Sequence, residues 1–339
     1  MLEQYIKRNS WIELLRIICI WMIILYHLSM HSYGEVLGHN LLWDIVTNVF
    51  HIGVVCFILI SGWYGIKATI RGGVKLIIIC LFYSIIIRCF DVFVLDSPFT
   101  MKDALATLTP LLHEDWWFMT SYFILYILSP FANQLWDSIT DKQRKLLLFS
   151  LGGIMLYFGW LGHVSTIHDG RDIITFLFIY YLGKLLREKM PLFKNRTIIM
   201  TYSAVIICIF VGACLKNSFP FASFIIRLIC FGYNSPGLII MASSFFLCFA
   251  TMRPFHNKWI NYSATSVFPV YLLHENYVTY PLMQNMIHND LGNCAMLVLF
   301  CFLSTALLLA LMSFDKLCSM VYMPLVNRTE MVISKCIKK

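Results

Sequence analysis

Apolar runs long enough to cross a bilayer recur from one end of the sequence to the other. A hydrocarbon core about 30 Å thick needs about 20 mostly apolar residues in helical form. Ten such runs are readable, at 11–31, 48–66, 74–95, 116–136, 146–162, 172–188, 197–215, 236–252, 264–287 and 296–320. The connections are short, so the expected fold class is all-α: a polytopic membrane helix bundle of about ten transmembrane helices, forming a single integral-membrane domain over 1–339. With 59% hydrophobic and 13% charged residues and a mean hydropathy of +0.74, the chain lies outside the range of ordinary soluble domains. The first run is long and lacks a small-residue cleavage site, so no cleavable signal peptide is expected.

The basic residues set the expected orientation. With a cytoplasmic N-terminus, twenty of the 26 Lys and Arg fall on cytoplasmic segments, against Lys102, Arg171, Lys216 and Arg227 outside and Arg16 and Arg88 within spans. Both termini are therefore expected inside. The net charge of +8 reports topology, so membrane lipid is an expected partner and nucleic acid is not. The segment 219–233, "FPFASFIIRLICFGY", is apolar but short and reads as interfacial or re-entrant, because a further span would reverse the parity of this count. The twelve Cys include no CxxC pair and read as buried structural thiols. The N-x-T sequons at Asn195 and Asn327 fall on the cytoplasmic side, so glycosylation is not expected.

Ionisable residues inside the spans are the candidates for function, because a charge at mid-bilayer costs at least about 2.5 kcal/mol on insertion scales. The first span carries "ELLRIICIWMIILYH", with Glu13, Arg16 and His27. Eleven residues at about 100° each bring Arg16 and His27 onto one helix face, about 16 Å apart along the axis. That face offers a cation near the cytoplasm and an imidazole near the outer surface, although Arg16 could equally snorkel to the interface and His27 bond within the bundle. Arg88 and Asp91 form an i, i+3 pair in the third span. His274 and Glu275 are neighbours in the ninth, about 100° apart, so that one can serve chemistry while the other packs. "HEDWWF" at 113–118 suits an aromatic belt, with sugar stacking as a second use.

Several motifs are missing. "HENYV" has no second His and makes no zinc-protease helix, and there is no GxSxG elbow, Walker A loop or Rossmann glycine pattern. "HNLLWD" at 39–44 matches the H-x4-D of soluble-type acyltransferases but sits in the first outer loop, away from any lipid-acyl site. No metal ligand set is evident.

Taken together, "IELLRIICIWMIILYHL", "GVVCFILISGWYGIK" (53–67), "WWFMTSYFILYILSPFANQL" (116–135), "IYYLGKLLR" (179–187) and "SVFPVYLLHE" (266–275) resemble, in order, the first, second, fourth, sixth and ninth helices of the multi-pass acyltransferase family 3. The resemblance implies an O-acyltransferase, moving an acyl group, acetyl first among candidates, from cytosolic acyl-CoA to a hydroxyl of a cell-envelope carbohydrate or lipid-linked glycan at a bacterial inner membrane. It carries family roles onto Arg16 and His27. Where the family often has an Arg-Arg-x-x-Arg cluster, this chain reads "KATIRGGVK", leaving Lys67, Arg71 and Lys75 to hold CoA phosphates as point charges.

The expected mechanism has the CoA phosphates near Arg71, Lys75 and Arg16 and the thioester near His27, a neutral imidazole suited to act as general base. Arg88 is the candidate oxyanion donor, and Glu275 or Asp91 the candidate orienting carboxylate; an acyl-histidine variant stays open. No bound cofactor or metal is required, acyl-CoA being a co-substrate. The competing reading is a polysaccharide or acyl-group transporter using the same intramembrane charges as a proton relay.

Overall fold

The computed structural model describes residues 8–33, 48–112, 116–215, 232–284 and 293–337, and every regular element in them is helical. In chain order these are α1 (Ser10–Tyr33), α2 (Gly53–Tyr64), α3 (Ile70–Val94), α4 (Met101–Leu108), α5 (Trp117–Ser138), α6 (Asp141–Ile154), α7 (Ile173–Lys189) and α8 (Asn195–Leu215). They continue with α9 (Pro236–Ala250), α10 (Lys258–Ser263), α11 (Val267–His274), α12 (Thr279–Gln284) and α13 (Asn293–Ile337).

Five stretches, Ser10–Met30, Ile70–Val94, Asp141–Leu161, Asn195–Gly212 and Ala295–Ile333, are long and apolar enough to cross a membrane, with shorter apolar helices at Asn48–Tyr64 and Pro236–Ala250. Each of the ten apolar runs coincides with helix, but three differ from expectation. The fifth ends in a π-helical turn, Met155–Leu161. The tenth extends far beyond 320, to Ile337. The ninth is broken after His274. The expected interfacial piece at 219–233 lies almost entirely outside the described residues.

α1 is central. Leu15, Cys19, Ile24 and Leu25 are fully buried, and α1 packs on α2, α9, α11 and α13. Its N-terminus is fixed by buried Ser10, whose hydroxyl donates to Asn261 Oδ1 at 2.8 Å and accepts from the Asn257 amide at 2.7 Å. α2 and α7 approach closely through glycines: a Cβ on Gly62 would stand 2.0 Å from the Tyr180 carbonyl oxygen, and one on Gly183 2.6 Å from that of Leu59. Small residues at such a contact allow two backbones to pack in an apolar medium, where water gives no hydrophobic drive. α13 is held to α3 by buried Asp315, which accepts from Tyr83 and Tyr322 hydroxyls at 2.7 and 2.9 Å.

The break in the ninth run has a definite cause. Asn276 takes over the backbone bonds the helix gives up. Its Nδ2 donates to the carbonyls of Leu273 (2.8 Å) and Leu272 (3.3 Å), and its Oδ1 accepts from the amides of Val278 (3.1 Å) and Thr279 (3.2 Å). Thr279 Oγ1 donates to the His274 carbonyl at 2.8 Å. An Asn can thus close both helix stubs, because its amide donates and accepts at once. Irregular backbone inside an apolar run needs such replacement bonds, since apolar surroundings offer none.

Candidate active site

The break sets Glu275 against α1. His27, His274 and Glu275 form one cluster, joining α1 to the end of α11. His27 Nδ1 lies 2.5 Å from Glu275 Oε2 and 3.1 Å from His274 Nε2. At that distance the imidazole and the carboxylate are in direct polar contact. The imidazole rings stack at 5.3 Å with 29° between planes. All three side chains are largely buried, at 14% exposure for His27, 0% for His274 and 6% for Glu275.

Proton positions follow from the partners. His274 Nδ1 is 2.9 Å from the Val270 carbonyl, which can only accept, so Nδ1 bears the hydrogen and Nε2 a lone pair. His27 Nδ1 therefore meets two acceptors, a lone pair and a carboxylate, and bears the hydrogen itself. The basic lone pair of His27 is then at Nε2. Glu275 is fixed in turn: Tyr280 hydroxyl donates to Oε1, and Trp116 Nε1 donates to its backbone carbonyl at 2.8 Å. Aromatic rings wall the cluster on the α1 side, with Tyr26 stacked on His51 at 4.7 Å and His51 edge-on to Tyr233 at 4.3 Å.

The ligating atoms of His27, His274 and Glu275 all lie within 4.8 Å of one another, so the trio has the donors of a metal site. Its spacing fits a shared proton better. Bonds of about 2.05 Å to a tetrahedral ion hold ligands about 3.3 Å apart, whereas Nδ1 and Oε2 are 2.5 Å apart here.

A cavity of about 460 Å³ runs beneath the cluster. Arg8, Arg16 and Lys75 line one end, with Tyr64 and Tyr126 beside them; Ser61 and Tyr122 line it further along; Ile23, Phe118, Met119 and Tyr271 line the other end. Ile23 and Tyr271 each precede a cluster histidine by about one turn, so the cavity stops about 5 Å of helix rise short of the imidazoles. At its basic end Glu13 lies 3.3 Å from Arg16 and 3.8 Å from Arg8. Among the described residues that line the cavity the charged ones are all cationic. The volume is in the range of small-molecule and cofactor pockets.

The residues singled out from the sequence thus divide into groups. His27 and Glu275 meet directly. Arg16 and Lys75 share the cavity. Arg71 pairs with Glu330 at 3.5 Å and Lys67 lies in the α2–α3 connection, so neither lines the cavity. Arg88 belongs to a different neighbourhood, 2.9 Å from Asp91 and 3.4 Å from Asp103, with its guanidinium 4.7 Å from the Tyr277 ring centroid. It lines a smaller pocket of about 180 Å³ with Trp116, Thr107 and Asn276. Hydrogen bonds from the Thr100 hydroxyl and amide hold the Asp103 carboxyl below its ordinary pKa, so Arg88 faces two carboxylates, and Asp91 is occupied there rather than at His27. Sequence reasoning passed over Arg8, Tyr271 and Tyr280. Tyr271 carried the one available signal, lying three residues before His274 and four before Glu275, which places all three near one helix face.

A family model described as an acyltransferase domain matches residues 9–313, nearly the whole chain. No curated protein and no solved structure matches.

Proposed function

Because the chain belongs to the acyltransferase 3 family, an assignment that makes it a membrane acyltransferase, we propose that it is an acyl-CoA-dependent O-acyltransferase with His27 as general base. The donor group is acetyl and the acceptor a hydroxyl of a cell-envelope carbohydrate or lipid-linked glycan. The protein sits in a bacterial inner membrane as a single domain of about ten spans, with both termini cytoplasmic.

The observation that carries this reading is the His27–Glu275–His274 cluster standing over a cavity with a basic mouth. The pyrophosphate and ribose phosphate of CoA are held at Arg8, Arg16 and Lys75, and the pantetheine arm runs along the tyrosine-lined wall. The thioester then arrives below His27. The acceptor hydroxyl, entering from the outer side, gives its proton to His27 Nε2 as its oxygen attacks the thioester carbonyl carbon. Glu275 holds the ring and stabilises the imidazolium that forms. Collapse of the tetrahedral intermediate breaks the C–S bond, and the proton on His27 leaves with the CoA thiolate. The residues require no bound cofactor for this sequence.

The test is CoA-thiol release from acetyl-CoA by purified protein in detergent, with a cell-envelope glycan extract. Release that depends on the extract and falls at least about 10²-fold in His27→Ala is expected. Turnover that survives the substitution removes His27 from the chemistry. No release, with no acetyl-CoA binding by thermal shift, moves the assignment to a gradient-driven transporter.

A further inference from the structure

Resting on the acyl-transfer reading above, we propose that the Tyr271 hydroxyl is the hydrogen-bond donor that holds the thioester carbonyl and stabilises the oxyanion formed on it.

Tyr271 is 8% exposed, and its hydroxyl is fully buried with no hydrogen-bond partner among the described residues. A buried hydroxyl without a partner weakens the fold, and native proteins keep few of them without a reason. The residue itself is part of the far-end lining of the cavity, together with Ile23 and Phe118. Its ring stands edge-on to His274, with centroids 6.1 Å apart, and edge-on to Phe118 at 5.6 Å. The ring is thus beside the cluster and at the end of the cavity assigned to the thioester.

A second feature points to the same place. α5 opens at Trp117 with no side-chain cap, and the indole of the preceding Trp116 is committed to the Glu275 carbonyl. The first amides of an uncapped helix carry partial positive charge along the axis. The amide of Phe118 approaches the Tyr271 oxygen without closing a hydrogen bond. A developing oxyanion placed between the two gains an O–H donor and a helix N-terminus together. Arg88, the cation first considered for this task, faces Asp91 and Asp103.

In the step itself the acceptor oxygen bonds to the thioester carbonyl carbon and its proton passes to His27 Nε2. The carbonyl π pair moves onto oxygen, where Tyr271 O–H donates to it. When the pair returns, the C–S bond breaks and CoA thiolate takes the proton from His27. Tyr271 keeps its own proton throughout.

The experiment compares wild type, Tyr271→Phe and His27→Ala for CoA release and for thermal midpoint in the same detergent. Because the hydroxyl makes no bond in the resting protein, Tyr271→Phe is expected to leave the midpoint unchanged or raised. Its kcat is expected to fall about 10²–10³-fold, with KM for acetyl-CoA changed less than about threefold. Wild-type kcat in Tyr271→Phe overturns the inference while leaving the acyl-transfer reading intact. A kcat loss accompanied by a fall of several degrees in midpoint also overturns it, by giving the hydroxyl a structural role. Absence of CoA release from the wild type overturns the acyl-transfer reading, and this inference with it.

Discussion

Glu275 and Asp91 are the two buried carboxylates that could serve an imidazole on α1, and their partners separate them. Asp91 is bound to Arg88 at 2.9 Å, three residues away on the same helix, a pairing that local spacing already suggests. Glu275 meets His27 at 2.5 Å across 248 residues of sequence, and no local pattern reports a contact of that range. Glu275→Gln preserves shape and the Tyr280 contact but removes the charge that stabilises imidazolium. A fall in kcat of about 10²–10³-fold is expected, with KM for acyl-CoA unchanged; an active Gln variant would show that the carboxylate only packs. His27 was readable from the sequence because an ionisable group in an apolar helix stands out. Tyr271 was much less so: its spacing from His274 and Glu275 was the one signal, and a tyrosine in "VYLLH" otherwise reads as one more aromatic in an apolar run. In the structure its buried hydroxyl without a partner marks it.

Among the helices, the α11–α12 break is what the apolar pattern concealed. Residues 264–287 are apolar enough to read as one span, and the interruption comes from Asn276, whose side chain bonds four backbone groups. Without that break Glu275 would continue α11 about 100° round from His274, and one carboxylate could not reach His27 while its neighbour stacked on the same ring. Asn276→Ala strands those groups in a buried setting, so a loss of about 2–3 kcal/mol is expected, with activity falling as Glu275 loses its position. Asn276→Asp keeps the acceptor for Val278 and Thr279 but loses the donor to Leu272 and Leu273, and should fall between. Thermal midpoints and CoA-release rates measured on the three proteins check the order. Equal stability in all three would mean that the break is maintained by packing rather than by Asn276. Helix existence, by contrast, was plain from hydropathy, because in lipid an apolar run has few other ways to satisfy its backbone.

Taken as a bundle, the protein has a basic cavity mouth at one end and its imidazole cluster beyond the other, the arrangement the proposed function needs if donor and acceptor are to arrive from different sides of a membrane. The mouth is chemically asymmetric: the charged residues in its described lining are Arg8, Arg16 and Lys75, with Glu13 beside the two arginines. Those cations can recognise only the nucleotide part of acyl-CoA, since the thioester and pantetheine carry no charge. Arg16→Gln and Lys75→Gln should therefore each raise KM for acetyl-CoA about 10-fold or more, the worth of a charge-assisted hydrogen bond. KM for acetyl-pantetheine, which lacks the phosphates, should not move, and kcat at saturation should be preserved. The same substitutions should flatten the dependence of KM on salt, because screening acts on the charges they remove. Arg71→Gln and Lys67→Gln, outside the cavity lining, serve as comparisons and should change KM much less. Sidedness completes the argument. In inverted inner-membrane vesicles, acetyl-CoA added outside meets the cytoplasmic face and should be consumed; in right-side-out vesicles it should not be until the membrane is opened with detergent. Consumption by intact right-side-out vesicles would place the basic mouth on the outer face, reversing the orientation inferred from the Lys and Arg distribution and the direction of donor entry together.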